Sequence, residues 1–500
     1  MRVLFIYPNL NAQIGFNYGV AHISGLLKKH GIETHLLNVN EQVDYPLDLA
    51  RIKEDVLRIN PDVIGFSVVT NQHKYAVEIA RDIKRYLPRP IVFGGIHPTM
   101  VPLDVMQEPA VDCVCVGEGE EAFLEYLTKG SPKGVLNMGY REGQKVVLEP
   151  LRPYVDLGVL PPKDYDIFDF QRIIDTKDGW VGLLSGRGCP FRCTYCLNHK
   201  IIKMYKNSGH LPKGYIRREG VDEVMGEIDY LLSHYQRIKM FIFDDDIFTL
   251  DKAWLREFSE KYRKLTNTGF VCNAHVRFFD EEVARCLKEA GCRIVKFGLE
   301  SGSDNLRRNV LHRFMTNREI EAAFGAAHKY GLHTSAFVMI GLPCETKDDI
   351  MATVRLLSKI KPGRFRWSLF FPYVGTEAYD IAKARGSIDF EKMKRLDNFT
   401  DETCMNLGEE ANLLVDKVQH LFCTFVNGYA EPDGEARYRE LVDHIEAAER
   451  SSWEKEKKSF AAEIAEMDKL AVEQGRLHYT VKFNRFMGVR SDWEDDSLSA

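Results

Sequence analysis

The sequence lacks the features that mark a membrane-spanning, secreted or nucleic-acid-binding protein. None of its 500 residues belong to an uninterrupted apolar run of about eighteen, and the first residues, MRVLFIYPNLNAQIG, turn polar too soon for a signal peptide. Basic residues are not in excess, because 67 Lys and Arg face 73 Asp and Glu and give a net charge of −6. That balance argues against a nucleic-acid partner. We therefore expect a cytoplasmic protein without a transmembrane segment.

Two further patterns are scarce or missing. Cysteine is limited to 11 residues, an odd number, so reduced thiols are expected rather than a disulfide scaffold. No G-x-G-x-x-G motif follows the first predicted strand, where YPNLNAQIGF stands instead, and this disfavours dinucleotide binding. With 45% apolar and 28% charged residues, the composition is that of a globular protein with two or three domains.

The sequence does contain a close group of three cysteines, Cys189, Cys193 and Cys196, in the stretch SGRGCPFRCTYCLNHK (185–200). Buried structural cysteines rarely stand so close together beside Gly and Pro, and a redox pair needs only two thiols. Zinc needs a fourth ligand, for which His199 has a suitable spacing. Three thiolates at this spacing also suit a [4Fe–4S] cluster with one iron left open to a small molecule. Cluster ligation is the hypothesis that uses all three thiols.

The chain before the cysteines alternates short apolar strands with amphipathic helices. Strands are predicted at 2–8, 33–39, 63–69, 91–95 and from 112 onward. This alternation predicts a doubly wound, Rossmann-like parallel sheet over residues 1–135, which binds ligands at the carboxyl ends of its strands. Residues 136–175, rich in turn formers such as LPPKDYD, are predicted to be a linker.

The alternation resumes over residues 176–400 with six βα units. The predicted strands are 181–185, 238–246, 270–276, 292–300, 333–343 and 365–373. Six parallel strands cannot close an eight-fold barrel, so a partial (β/α)6 barrel is expected, with its chemistry at the carboxyl ends of the strands. Residues 401–500 are charged and predict a helical C-terminal region. The fold class is therefore α/β.

The segment CPFRCTYC resembles the signature loop of the radical S-adenosylmethionine (SAM) enzymes, and FIFDDDIFT and GLESGSD support the resemblance. It implies that Cys189, Cys193 and Cys196 are catalytic residues that bind a [4Fe–4S] cluster. It further implies that SAM binds the open iron and that one electron cleaves SAM to a 5′-deoxyadenosyl radical. An external one-electron donor, such as flavodoxin or ferredoxin, is expected to reduce the cluster.

The same resemblance implies SAM contacts at the strand ends of the barrel. The expected residues are Tyr195, Asp244, Asp245, Asp246, Asn273, Arg277, Glu300, Ser301 and Gly341. The pattern leaves open which aspartate meets the SAM ammonium group, and Asp245 is taken first. Each residue alone is equally well a polar loop residue or a helix cap, but their common position on one rim favours ligand binding.

The predicted N-terminal sheet resembles the cobalamin-binding class of this family, on the stretches FSVVT, GGIHPT and VGEGEEAFLEYL. The resemblance implies cobalamin contacts at Ser67, Thr70, Gly94, Gly95, His97, Gly117, Glu118 and Gly119. The D-x-H-x-x-G motif that supplies a cobalt ligand in many cobalamin proteins is absent, so His97 is expected to contact a corrin side chain or cap a turn. A nucleotide-binding or purely structural Rossmann-like domain is the alternative.

For this class the resemblance implies methylation of an unactivated carbon, or of phosphorus, in a small-molecule substrate. Radical cyclisation or rearrangement without methyl transfer is a second possibility, and a non-catalytic iron–sulfur sensor or scaffold is a third. The polar strand ends disfavour a sensor, which needs no SAM pocket. Methylthiotransferase chemistry is disfavoured because no second cysteine triplet precedes the first.

Overall fold

The computed structural model of the chain describes residues 1–396, 402–430 and 436–493. The chain divides into two compact units. The first unit is Met1–Pro190 with Leu197–Asp245, and the second is Phe191–Cys196 with Asp246–Ala500. These units do not follow the predicted boundaries at 135, 175 and 400, which stay predictions. Across the described ranges, no helix combines the length and the apolar character that a membrane crossing requires.

The first unit begins with alternating strands and helices, as predicted. Its elements are β1 (Arg2–Pro8), α1 (Tyr18–Lys29), β2 (Glu33–Val39), α2 (Leu49–Ile59), β3 (Val63–Ser67), α3 (His73–Tyr86), β4 (Ile91–Gly94), α4 (Ile96–Met100), α5 (Pro102–Val105), β5 (Cys113–Cys115), α6 (Glu120–Lys129), β6 (Met138–Glu142), β7 (Lys145–Leu148), α7 (Phe170–Thr176), β8 (Trp180–Leu183), β9 (Gly186–Arg187), α8 (Leu197–Asn207), β10 (Arg217–Arg218), α9 (Val221–His234) and β11 (Met240–Phe243).

The N-terminal sheet has the strand order β2-β1-β3-β4-β5-β6-β7, and its first five strands run parallel. Its helices form for local reasons that the sequence shows. In α2, Asp48 caps the first turn by accepting hydrogen bonds from the Ala50 and Arg51 amides, and Ile52, Val56 and Ile59 lie buried along one face. Strands β1, β3, β4 and β5 are largely buried on both faces, which explains their nearly continuous apolar sequences, whereas the edge strand β2 is partly exposed. The predicted Rossmann-like sheet is confirmed.

Part of the predicted linker is regular structure instead. Strands β6 and β7 form an antiparallel hairpin that extends the sheet beyond β5, and α7 lies further along the same segment. The hairpin turns at Gly143, whose φ of +62° suits glycine. The prediction of a linker over 136–175 was wrong for the hairpin and for α7. The prolines and turn residues nearby favour a loop, and the apolar run KVVL is too short to indicate a strand among them.

The second unit contains most of the barrel and the C-terminal region. Its elements are α10 (Lys252–Leu265), β12 (Gly269–Ala274), α11 (Glu281–Ala290), β13 (Cys292–Glu300), α12 (Asp304–Asn309), α13 (Asn317–Lys329), β14 (His333–Ile340), α14 (Lys347–Ile360), β15 (Arg364–Leu369), α15 (Glu377–Ala384), α16 (Phe390–Arg395), α17 (Glu409–Gly428), α18 (Ala436–Ala447), α19 (Arg450–Glu456), α20 (Phe460–Glu473), β16 (Tyr479–Val481) and β17 (Met487–Arg490).

All six predicted barrel strands are present. In the first unit β8 pairs in parallel with β11, and in the second unit β12, β13, β14 and β15 pair in parallel in that order. Each predicted strand is followed by its helix, so the alternation that predicted the partial barrel is confirmed. The carboxyl ends of the four strands of the second unit lie on one edge, as parallel pairing requires.

The C-terminal region is helical from α17 to α20 but ends in strands. Strands β16 and β17 form a hairpin, and β17 pairs antiparallel with β15. The predicted helical C-terminal region is confirmed, and a strand hairpin within residues 479–490 adds to it. The parts of that prediction at 401, 431–435 and 494–500 lie outside the described residues.

Candidate active site

The cysteine loop is held in place by backbone hydrogen bonds within the second unit. The Thr194 amide donates to the Leu311 carbonyl at 3.0 Å and its hydroxyl donates to the Val310 carbonyl at 2.7 Å. The Thr194 carbonyl accepts from the Ala378 amide at 2.9 Å. These bonds fix the residue that follows Cys193, so the position of that thiol is set by two distant parts of the chain.

The three cysteines differ in exposure. Cys193 is buried, whereas Cys189, in the first unit, and Cys196, in the second, are half-buried. None of the three forms a disulfide, which fits a role as thiolate ligands. Among residues 1–396, 402–430 and 436–493, no group of three or more His, Cys, Asp or Glu side chains is arranged to hold a single metal ion. A cubane spreads its thiolates over separate iron atoms, so its ligands need not surround one point.

A buried arginine, Arg313, lies beside the cysteine loop in the second unit. Its Nη1 is 3.6 Å from Cys193 Sγ and donates to the Tyr195 hydroxyl at 3.1 Å. Burial opposes its charge, but Tyr195, Glu300 and Cys193 together hold the pKa of Arg313 above its ordinary value. A fixed cation at this thiol fits an anionic thiolate-bound cluster, and the donor set therefore fits the [4Fe–4S] assignment.

Tyr195 joins the cysteine loop to the segment that follows β14. Its ring packs against the apolar cluster that includes Leu306, Leu311 and Leu342. Burial raises the pKa of Tyr195 well above its ordinary value, so the phenol stays neutral and keeps its hydrogen bond. The structure thus brings together Tyr195 and the GLP segment after Gly341, two elements that the resemblance places around SAM.

Glu300 ends β13 in an unusual conformation. Its φ of +67° is rare for a residue with a side chain, and the pairing of β13 with β14 shifts register between Gly298 and Glu300. Burial raises the pKa of Glu300, although the Arg313 charge opposes the shift. A strained, half-buried carboxyl beside the cysteine loop is a candidate ligand group. Its contact with SAM stays a prediction.

Ser301 forms its hydrogen bonds with neighbouring residues of the protein. It is fully buried, its hydroxyl accepts from the Ser303 amide at 3.2 Å, and it lies 3.4 Å from the Thr353 hydroxyl. These bonds shape the turn after β13. The predicted contact of Ser301 with SAM is untested, but its hydroxyl already has partners inside the protein.

The three aspartates after β11 differ in exposure. Asp245 is 2% exposed, and its carboxylate accepts from the Ser185 amide at 3.0 Å and from the Ser185 hydroxyl at 2.7 Å. Asp244 and Asp246 are exposed, and Asp244 accepts from the Tyr18 hydroxyl at 2.7 Å. Asp245 therefore ties β11 to the segment before Cys189, which makes the two exposed aspartates the better candidates for the SAM ammonium group.

The residues after β12 have separate surroundings in the second unit. The Asn273 carbonyl accepts from the Phe248 amide at 2.9 Å, and Arg277 is half-exposed and pairs with Glu319 at 3.4 Å. His275, a polar residue at the same strand end that was not among the expected SAM contacts, stacks its ring on Phe191 of the cysteine loop with centroids 4.0 Å apart. Burial lowers the pKa of His275 to about 3, so the imidazole is neutral. The cofactor contacts of Asn273 and Arg277 stay predictions.

Gly341 begins a tight turn after β14 with a φ of +79°. Its amide donates to Glu345 Oε2 at 2.6 Å, and the Leu342 amide donates to the same oxygen at 3.1 Å. Burial raises the pKa of Glu345 to about 8. Glu345 was not predicted, and it fixes the turn whose glycine was expected to approach adenine.

At the carboxyl ends of the strands of the N-terminal sheet, Gly94 and Gly95 form an edge without side chains, which we call the bare edge. Gly95 is exposed with a φ of +95°, and a Cβ atom there would lie 2.8 Å from the Val68 amide nitrogen. No larger residue fits without strain, and such an edge lets a flat macrocycle approach the backbone. The edge therefore fits cobalamin.

Polar groups line the same edge within the first unit. Ser67 accepts from the Asn17 side chain at 2.9 Å, and the Thr70 hydroxyl lies 3.3 Å from His97 Nδ1. The His97 ring lies 4.3 Å from that of His73, which sequence reasoning missed. Burial lowers the pKa of His97 to about 3, so it is a neutral group. Whether His97 contacts a corrin side chain stays a prediction.

The VGEGEE loop, which includes Gly117 and Gly119, carries an ion-pair network. Glu118 accepts from Arg217 at 2.6 and 2.9 Å and from Arg187 at 3.1 Å, and Arg187 also donates to Glu120 at 2.6 Å. Arg187 stands two residues before Cys189. The Glu118 carboxylate thus anchors the loop to the strand that leads to the cysteines, and its predicted contact with cobalamin is untested.

Comparison with known families identifies both parts of the chain. A family model described as "B12 binding domain" matches residues 12–127, and one described as "Radical SAM superfamily" matches residues 183–357. The chain is a radical SAM enzyme with a B12-binding domain. Its cofactors are a [4Fe–4S] cluster, SAM and cobalamin, as predicted.

Individual relatives cover most of the chain. It is 28% identical, over 82% of its length and 91% of the relative, to the "Uncharacterized methyltransferase PH0819" of Pyrococcus horikoshii. It is 25% identical, over 85% of its length and 77% of the relative, to the anaerobic magnesium-protoporphyrin IX monomethyl ester cyclase of Rubrivivax gelatinosus. The solved structure of the radical SAM methyltransferase TsrM from Kitasatospora setae, with cobalamin and [4Fe–4S] cluster bound, shares the fold: TM-score 0.62, 19% identity, 77% of this chain and 78% of that chain.

Proposed function

We propose that this radical SAM enzyme methylates an unactivated carbon, or phosphorus, of a small molecule. The observation that carries the proposal is the combination of the cysteine loop and the B12-binding domain in one chain. The relationship to a protein named a methyltransferase, which spans both regions, supports it further.

The chain's own residues would hold the cofactors and exclude water around them. Cys189, Cys193 and Cys196 would bind the cluster, and the bare edge at Gly94 and Gly95 would receive cobalamin. When bound, the cluster supplies the electron that cleaves SAM to a 5′-deoxyadenosyl radical, and cobalamin supplies a methyl carrier.

Four protein groups would orient SAM. The exposed carboxylates of Asp244 and Asp246 suit its ammonium group, and the neutral Tyr195 ring, packed beside Leu342, suits an adenine. The half-buried Glu300 carboxyl would accept a hydrogen bond from a hydroxyl or ammonium group. Each assignment is based on the exposure and the charge of that side chain within its own compact unit.

The enzyme needs an electron from outside the chain, and we propose a flavodoxin or ferredoxin as the donor. We also propose that it works in the cytoplasm. None of the eleven cysteines forms a disulfide, which fits a compartment that keeps thiols reduced.

Radical cyclisation without methyl transfer is the second candidate. The observation that favours it is the relationship to a protein named a cyclase, at an identity only slightly lower and over a similar share of the chain. The two reactions differ in what SAM becomes, so they are separable by product analysis.

The test uses the full-length, anaerobically reconstituted enzyme with a strong reductant, hydroxocobalamin, methyl-deuterated SAM and a small-molecule extract of the source cells. Methyl transfer predicts S-adenosylhomocysteine together with 5′-deoxyadenosine, and a small-molecule product that carries the deuterated methyl group. 5′-Deoxyadenosine without S-adenosylhomocysteine or labelled product would refute methyl transfer and favour cyclisation. Liquid chromatography with mass spectrometry measures all three species, and a reaction without reductant is the control.

A further inference from the structure

Arg313 is placed in the second unit so that one side chain touches both a cluster ligand and the strand beside it. Its Nε and Nη2 donate to the Gly298 carbonyl at 3.1 and 2.5 Å, while Nη1 reaches the Tyr195 hydroxyl and Cys193 Sγ. The residue is 8% exposed. All three guanidinium nitrogens therefore have a hydrogen-bond partner, and these bonds fix the orientation of the guanidinium toward the Cys193 thiol.

The partners of Arg313 are fixed as well. Gly298 lies within β13, and Thr194 ties the cysteine loop to the Leu311 and Val310 carbonyls, two and three residues before Arg313 in the chain. The loop that carries the arginine and the loop that carries the thiol therefore hold each other in register. The fold therefore fixes the 3.6 Å distance between Arg313 Nη1 and Cys193 Sγ.

We propose that Arg313 is a positioning residue that raises the reduction potential of the [4Fe–4S] cluster through its N–H and its charge at Cys193. The proposal rests on the cluster named in the proposed function. Hydrogen bonds to the cluster sulfurs and the local charge help set the potential of iron–sulfur clusters, and a donor or cation stabilises the reduced, more negative form. The charged groups that also act on Arg313 include the Glu300 carboxyl, which partly offsets the cation and leaves the N–H donor in place, and the Arg307 guanidinium.

The role matters because the cluster must accept an electron from an external donor. A potential that is too low would keep the cluster oxidised at the potential of that donor. Arg313 would thus adjust how readily the enzyme is reduced, without itself touching the substrate.

The experiment is an EPR-monitored redox titration of the reconstituted full-length protein and of Arg313→Met and Arg313→Gln. At a fixed solution potential we expect the ratio of reduced to oxidised cluster to fall about tenfold in Arg313→Met, equivalent to about 59 mV for one electron. Arg313→Gln keeps an N–H donor but loses the charge, so a smaller shift in the same direction is expected.

The matched control is Arg307→Met. Arg307 is also buried and anchors the same loop, donating to the Ser301 and Met315 carbonyls, but the hydrogen bonds described for it reach no cluster ligand. Its replacement should leave the potential at the wild-type value. Iron content is measured for every variant.

Three results would overturn the proposal. These are an unchanged potential in a neutral Arg313 variant that retains its iron, an equal shift in Arg307→Met, and loss of iron from both Arg313 variants, which would reduce Arg313 to an anchor. A wild-type protein that binds no cluster would instead refute the proposed function, so the two failures are distinguishable.

Discussion

Cys193→Ala is expected to abolish reductive cleavage of SAM while leaving a folded protein. Cys193 is the buried member of the triplet, and its thiol is the one that Arg313 approaches. Without this ligand the cluster has two protein thiolates instead of three and should not assemble stably. The measurement is 5′-deoxyadenosine formed under anaerobic reducing conditions, with iron content and circular dichroism recorded on the same sample.

Cys404→Ala is the matched control. Cys404 is equally buried in the second unit but belongs to no motif, so its loss should leave cleavage at the wild-type rate. Cleavage that persists in Cys193→Ala would mean that this cysteine does not bind the cluster.

Glu118→Ala is expected to cause a large loss of stability in the first unit. The substitution leaves Arg187 and Arg217 largely buried without their shared carboxylate, and breaking such a buried pair costs about 3–5 kcal/mol. It also removes the acceptor of the Val155 amide. Urea denaturation at pH 7, followed by circular dichroism, measures the change in the free energy of unfolding.

Glu121→Ala, in the first turn of α6 three residues after Glu118, controls for the loss of one negative charge. Glu121 is half-exposed and lies 3.6 Å from Arg152, which keeps a second partner in Glu125, so a loss of less than about 1 kcal/mol is expected. A Glu118→Ala protein as stable as Glu121→Ala would show that the network contributes nothing.

The effect of Glu118 should also depend on pH. Burial opposes ionisation, but Arg217 and Arg187 hold the pKa of Glu118 below its ordinary value. A depressed pKa in the folded state contributes stability that is present above the ordinary carboxyl pKa and is lost as the pH falls through the folded value. The difference in stability between wild type and Glu118→Ala should therefore shrink below about pH 4.

The fold was largely predictable because its strands and helices have strong local patterns. β1, β2 and the helices between the parallel strands lie within a few residues of their predicted positions. The hairpins β6–β7 and β16–β17 were missed because each has strands of only three to five residues, too short for a periodic pattern to stand out.

The candidate site was predictable only where residues close in sequence carry the chemistry. The cysteine triplet lies within eight residues, so its spacing is visible. Arg313 lies 120 residues from Cys193, and Arg217 lies 99 residues from Glu118, so their pairing depends on the fold and leaves no local signal. The choice among Asp244, Asp245 and Asp246 stays a prediction, and the bond from Ser185 to Asp245, across 60 residues of sequence, leaves no local signal either.

The central claim is that the three cysteines hold a cubane whose open iron binds SAM, and EPR of the reduced wild-type protein tests it most directly. The reconstituted protein should carry about four irons per chain, and adding SAM should change the g values of the reduced cluster, because SAM becomes a ligand of the open iron. A spectrum that SAM leaves unchanged, or a protein that binds about one zinc ion in place of iron, would contradict the account.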